Sequence, residues 1–401
     1  MKRVGLKWLY AWLLVLFFSC SKNNDPTPKP DNDNLVAVTA MGSRSAAELK
    51  FFIQLSGRDI DTDLFVYNVD LYKVVYQTHY KGSEVNASGL ILLPKTTLPV
   101  PMISFQHGTL VEQAQAPSAQ TKDSEEVIPY QALASMGFIT VVPDLIGFGE
   151  SNNIFHPYYV EEPTATAVMD MLRAAHALAK EKNVDFNSRL FLAGYSQGGY
   201  ATLATHKALE ASPREGFQLI ASFPGAGGYD ITSMQEYLFG LDTYSDPYYL
   251  AYVGLSYQKY YEEPGLLADF FNEPYPSSIP SLFDGNHSPA DINAALTEDI
   301  KTLIREEILT GGEDDPEYDF LQTSFEENSL VDWKPTLPIF LYHGDADTTV
   351  PLQNSQITYD KLLSNGASPE NLQLITIPGG NHSSSVIPYL EDVIKKLQTL
   401  K

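Results

Sequence analysis

Residues Leu190-Phe191-Leu192-Ala193-Gly194-Tyr195-Ser196-Gln197-Gly198-Gly199 join a short apolar run to the small-residue start of a helix through a Gly-x-Ser-x-Gly. Such a join allows few folds. A serine held out of the backbone at a sharp strand-to-helix turn has strained dihedrals. The chains beside it come so close that Cβ atoms do not fit at the flanking positions. Gly194 and Gly198 meet that demand. The helix that follows points free N–H groups and its positive end at any oxyanion formed there. Taken alone, the pattern also fits a glycine-rich turn with an incidental serine, so the rest of the chain has to decide.

The chain has 401 residues, 44% of them hydrophobic, which is enough for a large core. Its formal charge is −24. That surface repels phosphate backbones, and no nucleic-acid partner is expected. The first twenty residues have the layout of an export signal: Lys2 and Arg3, then an apolar run from Trp8 to Phe18 that is short for a bilayer span. The run ends in Phe17-Phe18-Ser19-Cys20, which resembles a bacterial lipobox; the alternative is a plain secretory signal with a chance cysteine. Cys20 is the sole cysteine, so the rest of the chain has no disulfide, no cysteine-bound zinc and no cysteine nucleophile. Residues 21–34, polar and punctuated by prolines, read as a flexible linker. The expectation is an exported lipoprotein of the cell envelope that touches membrane only through lipidated Cys20.

The patterning predicts a short helix at Ser45–Leu55 and a hairpin of strands, Tyr67–Tyr80 and Val85–Leu93. A continuously apolar strand, Pro99–Gln106, comes next. Helices and strands then alternate: Glu125–Met136, Phe138–Val142, Thr164–Lys182, Arg189–Ala193, Gly198–Glu210 and Phe217–Phe223. The alternation returns at Pro338–Tyr342, Gln353–Ser364, Leu372–Ile377 and Ser385–Leu397. This implies an α/β architecture with a mixed, mostly parallel sheet flanked by helices. Between its two parts, residues 35–230 and 334–401, lies an insertion at 231–333. Ten of the 24 tyrosines fall between Tyr229 and Tyr275. A structureless loop of that length is improbable, so a helical cap is expected. It includes one helix at Pro289–Thr310, with Ser288 as N-cap and Gly311 past its end.

A serine nucleophile needs a base, and the base needs a partner to fix its tautomer. Strand Pro338–Tyr342 runs into His343-Gly344-Asp345-Ala346-Asp347-Thr348-Thr349-Val350-Pro351, and strand Leu372–Ile377 runs into Pro378-Gly379-Gly380-Asn381-His382. Both lie at carboxyl ends of strands, the edge where open α/β sheets gather ligands. Spacing to Val350-Pro351 favours Asp347 over Asp345, which reads as a loop cap. His107 and His343 read as loop-fixing groups beside glycines. His156, in His156-Pro157-Tyr158, either borders the pocket or is structural. Asp144 and Ser151 read as turn-formers, and His79, His176, His206 and His287 as bystanders. No histidine pair has metal-site spacing and no glycine-rich loop carries a phosphate-binding lysine, so no cofactor and no metal are expected.

The order Ser196, Asp347, His382, with the elbow Gly194–Gly198, resembles the α/β-hydrolase superfamily. Gln106-His107-Gly108-Thr109 after the third strand and Asp144-Leu145-Ile146-Gly147-Phe148-Gly149-Glu150-Ser151 after the next match further pieces. Within the superfamily the set is similar to secretory lipases and related bacterial esterases. The resemblance implies a nucleophile at Ser196, a general base at His382 and an orienting acid at Asp347. It also implies an oxyanion hole made by the backbone N–H groups of Thr109 and Gln197. The implied activity is cleavage of carboxylic esters, small-molecule, lipid or aryl, through an acyl-enzyme. A serine peptidase or amidase with the same triad stays open. So, more remotely, does a non-catalytic binding protein on a hydrolase scaffold. Substrate choice would belong to the tyrosine-rich insertion.

Overall fold

The computed structural model describes residues 34–55, 57, 60–311 and 316–401. Nine strands form one sheet: β1 Leu35–Arg44, β2 Val69–Tyr80, β3 Ser83–Pro94, β4 Val100–Gln106, β5 Ile139–Pro143, β6 Phe186–Tyr195, β7 Gln218–Gly225, β8 Ile339–Gly344 and β9 Leu372–Ile377. Their order is β1-β2-β3-β5-β4-β6-β7-β8-β9. The first three strands pair antiparallel, and β3 joins β5 antiparallel. From β5 to β9 every pairing is parallel. This is the α/β-hydrolase architecture.

Parallel strands need crossovers, and the helices that supply them cover both faces. Every residue of β4 is buried as a result. The pleat of β6 divides the core. Leu190 and Leu192 pack with helix Glu161–Glu181, whereas Phe191 and Ala193 pack with helices Ile128–Ser135 and Val386–Leu400. Burying each such large side chain contributes roughly 1.5–3 kcal/mol. The sheet is thereby a rigid platform, and β4, β6, β8 and β9 all end toward the loops that carry the candidate site.

Three differences from the sequence reading have local causes. Strand β1 carries no clear alternation because register shifts at Leu35/Ala37 and Ala40/Gly42 break its period of two against β2. Helix Pro289–Thr310 is in fact three short helices, Pro289–Ala295, Ile300–Leu303 and Glu306–Leu309. Its start is as read, with a Ser288–Asp291 capping box. It stops where Leu296 turns extended and Asp299, accepting from the Thr302 N–H, starts a new turn. Asn34 is no part of a loose linker. It is buried, and its Nδ2 donates to the Asp170 carbonyl at 2.6 Å. The signal-like residues 1–20, with Cys20, and linker residues 21–33 lie outside the described residues.

Between β7 and β8 the chain forms eight helices among the described residues, from Ile231–Phe239 to Pro316–Asn328. Their tyrosines and leucines share a core cluster with Tyr200, Leu203 and Ala204 of helix Gln197–Ala211. None of the described helices is long and apolar enough to cross a membrane.

Tyr389 ties the sheet where β6 and β7 reach their ends. Its hydroxyl accepts from the Gly194 N–H at 2.9 Å and donates to the Phe223 carbonyl at 2.7 Å, and it is fully buried. Tyr389→Phe leaves that N–H without its partner. It should cost about 1–3 kcal/mol of unfolding free energy; an unchanged denaturation midpoint would refute this account of the strand ends.

Candidate active site

Ser196 sits at φ 59° and ψ −124°, a conformation that costs a non-glycine residue roughly 1–3 kcal/mol. Its N–H is held by the Gly225 carbonyl at 2.8 Å. The strain persists because the backbone around it leaves no room to relax. A Cβ on Gly194 would lie 2.3 Å from the Gly198 carbonyl oxygen, and one on Gly198 would lie 2.1 Å from that of Gln106. Gly199 is equally constrained, 2.3 Å from the Gly225 oxygen, which the sequence reading did not single out. Strands β4, β6 and β7 are thus pressed against the first turn of helix Gln197–Ala211.

The loops after β8 and β9 knit together and bring two further groups to the serine. A Cβ on Gly344 would meet the Gly380 oxygen at 2.1 Å, and the Ala346 N–H donates to that oxygen at 3.0 Å. Asp345 serves this knot: its Oδ1 accepts from the Gly379 N–H at 2.6 Å, away from the serine. Asp347 faces the other way. His382 Nδ1 donates to Asp347 Oδ2 at 2.7 Å, and His382 Nε2 lies 2.9 Å from Ser196 Oγ. The carboxylate fixes the proton on Nδ1 and leaves Nε2 free to accept. Tyr195 holds the histidine by donating to its carbonyl at 2.8 Å.

Asp347 has more support than the sequence revealed. Its Oδ1 accepts from the Thr349 and Val350 N–H groups, both at 3.0 Å. His343 Nε2 lies 3.4 Å from Oδ2 and donates to the Val350 carbonyl at 2.8 Å, while Ser355 Oγ donates to its Nδ1 at 2.6 Å. Burial alone would raise the carboxyl's pKa. Hydrogen bonds and charge from His343 and His382 outweigh that and bring it down to about 2. A histidine directly before a Gly-x-x-Asp was the available signal for this contact.

Gln197 follows the serine in the chain, and Thr109 follows Gly108, which lies beside it. A Cβ on Gly108 would be 3.9 Å from that of Ser196. Neither the Thr109 nor the Gln197 N–H has a hydrogen-bond partner among the described residues. His107 Nδ1 lies 2.7 Å from the Gly108 carbonyl oxygen, and its Nε2 lies 2.9 Å from that of Asp144. In a trans peptide N–H and C=O point opposite ways, so the Thr109 N–H faces away from His107. Asp144 and Ser151 shape the next turn. Asp144 accepts from Ser88 Oγ and the Ser118 N–H, and Ser151 Oγ accepts from the Gly147 N–H.

Ser196 opens into a pocket with about 70 Å³ of free space. Ile231, Met234 and Leu238 of one inserted helix and Tyr249, Leu250 and Val253 of another line it with Tyr158 and Tyr159. Tyrosine hydroxyls here are turned to the protein: Tyr158 Oη lies 2.7 Å from Thr109 Oγ1, and Tyr244 donates to the Thr349 carbonyl at 3.1 Å. The surface left to a ligand is apolar.

Comparison with known proteins agrees with this architecture. A protein of Legionella pneumophila described as a hydrolase matches with a TM-score of 0.81 and 27% identity, over 92% of this chain and 98% of that one. A ligand-bound form of the rice cell wall degrading esterase LipA of Xanthomonas oryzae matches with a TM-score of 0.81 and 25% identity, over 92% and 100%. Lipase 1 of Candida albicans is 23% identical over 322 residues, 75% of this chain. The match takes in 59% of that lipase, so the chain spans about three fifths of its length. The family model for secretory lipases matches residues 112–384, a stretch that holds Ser196, Asp347 and His382. The chain belongs to the secretory lipase family.

Proposed function

We propose that this protein hydrolyses carboxylic esters with Ser196 as nucleophile, His382 as general base and acid, and Asp347 as its orienting partner. The observation that carries the reading is the continuous chain Asp347–His382–Ser196, at 2.7 and 2.9 Å, opening on an apolar pocket. Ser196 Oγ attacks the acyl carbon as its proton passes to His382 Nε2. Asp347 stabilises the imidazolium that results. The Thr109 and Gln197 N–H groups receive the oxyanion, each worth about 3 kcal/mol to the transition state. His382 then protonates the leaving alcohol, and water, activated by the same imidazole, releases the acid from the acyl-enzyme. The apolar lining suits the acyl half of the ester.

Ser196→Ala should abolish turnover of p-nitrophenyl esters in a protein that still folds. Activity at the wild-type level would end this reading. Parallel assays with aminoacyl-anilides separate an esterase from an amidase with the same machinery.

Asp347 has a folded-state pKa of about 2, against about 3.9 for an unfolded aspartate. Its pairing therefore favours folding fully above about pH 4 and loses that effect as pH falls toward 2. The stability difference between wild type and Asp347→Asn should be constant above pH 4 and shrink below it. The same variant should lose about 10⁴-fold in kcat through the wrong histidine tautomer. A pH-independent stability difference would show that the carboxylate is not held as described.

Lipid attachment at Cys20 and placement in the cell envelope belong to the same proposal, supported by Lys2, Arg3, the apolar run and the single cysteine. Cys20→Ala should abolish incorporation of labelled palmitate in a bacterial host; undiminished labelling would exclude Cys20 as the anchor.

A further inference from the structure

We propose that His156-Pro157-Tyr158 positions the oxyanion hole, His156 acting through Gln197 and Tyr158 through Thr109. The inference rests on the ester-hydrolase reading and adds to it two residues that touch neither serine nor substrate carbonyl.

His156 is buried on the far side of Gln197. Its Nδ1 lies 2.5 Å from the Ile146 carbonyl, which can only accept, so Nδ1 carries the proton. Its Nε2 is then an acceptor, and the Gln197 Nε2 amide donates to it at 2.5 Å. Gln197 is 1% exposed, and its Oε1 has no partner among the described residues. The histidine is therefore the one side-chain anchor of the residue after the nucleophile. The ring itself cannot turn away. Phe148, Tyr158 and Tyr252 surround it with ring centroids at 5.0, 6.0 and 5.9 Å. A Cβ on Gly147 would collide with the His156 Cα at 2.4 Å, so the two backbones are locked together. Burial drives the imidazole pKa down to about 3, which keeps the ring neutral and Nε2 available as an acceptor at ordinary pH.

Two residues on, the Tyr158 hydroxyl lies 2.7 Å from Thr109 Oγ1. The Tyr158 ring stacks on Tyr252 at 4.3 Å with planes 7° apart. One rigid turn thus grips the side chains of both residues whose N–H groups would receive the oxyanion. It sets their separation without contributing a donor of its own. A hole of two donors works only if both reach one oxygen at about 2.7–3.1 Å, so a loose second contact forfeits the benefit of the first.

The test uses the full chain and p-nitrophenyl esters, with thermal denaturation to establish folding. His156→Leu should lower kcat about tenfold or more at a KM within about twofold. His156→Gln, whose Oε1 can accept from the Gln197 amide, should recover much of that loss. Tyr158→Phe removes one hydroxyl and keeps the ring, so it reports on Thr109 even if His156→Leu does not fold. It should lower kcat severalfold at unchanged KM. Affinity for a trifluoromethyl ketone, whose adduct with the serine places an oxyanion in the hole, should fall in step with kcat in each variant. Wild-type kcat in folded His156→Leu or in Tyr158→Phe would overturn the proposal. So would losses of kcat that leave ketone affinity intact. Failure of a fluorophosphonate to label Ser196 in the wild type would instead overturn the hydrolase reading beneath it.

Discussion

Close approach of backbone to backbone at the serine turn is the constraint on which the rest depends. Carbonyl oxygens of Gln106, Gly198 and Gly225 occupy the places where side chains on Gly198, Gly194 and Gly199 would begin. Three strands and one helix can converge on Ser196 only because those side chains do not exist. The convergence holds a strained serine in place and leaves the Gln197 N–H free at the helix start. It also sets the distance to the loop after β4, which carries Thr109. Packing of apolar residues on both sheet faces supplies the stability that such strain requires.

The carboxylate shows how the same fold supports charge. Asp347 is buried, and a buried carboxylate is costly unless its hydrogen bonds are supplied. Two backbone N–H groups and the His382 imidazole supply them, and a second imidazole, His343, stands 3.4 Å from the carboxylate. Only one of those imidazoles reaches the serine. The other, His343, donates to the Val350 carbonyl and so closes the loop around the carboxylate. The loop is folded about its charge, which is why Asp345, two residues earlier, serves a structural bond on the opposite side.

What the sequence revealed and what it hid divide along physical lines. The elbow was legible because Gly-x-Ser-x-Gly records a steric demand at fixed spacing. The meeting of Asp347 and His382 beside Ser196 was legible because both follow apolar runs that end at one edge of a parallel sheet. Strand β1 was not, since its register shifts erase the alternation that marks a strand. The break at Asp299 was not, because a side-chain cap inside an amphipathic run leaves the apolar spacing unchanged. Contacts across long separations leave no local mark. His156 and Gln197 are 41 residues apart, and neither residue's neighbours announce the other.

That last contact belongs to a wider connection between the inserted helices and the reacting end of the sheet. The turn at residues 156–160 grips Gln197 and Thr109 on one side. On the other it receives helix Tyr248–Tyr261: Ser256 Oγ donates to the Tyr158 carbonyl at 3.2 Å, and the Tyr257 hydroxyl donates to the Tyr159 carbonyl at 3.0 Å. Tyr159 adopts φ 55°, an uncommon conformation that those bonds help to hold. The same helix lines the pocket with Tyr249, Leu250 and Val253. The pocket wall and the side chains of Gln197 and Thr109 therefore hang from one short segment. A displacement of the helix cannot reshape the pocket without also pulling on the carbonyls of Tyr158 and Tyr159. In this chain, the apolar wall beside Ser196 and the side chains of Gln197 and Thr109 are mechanically one unit.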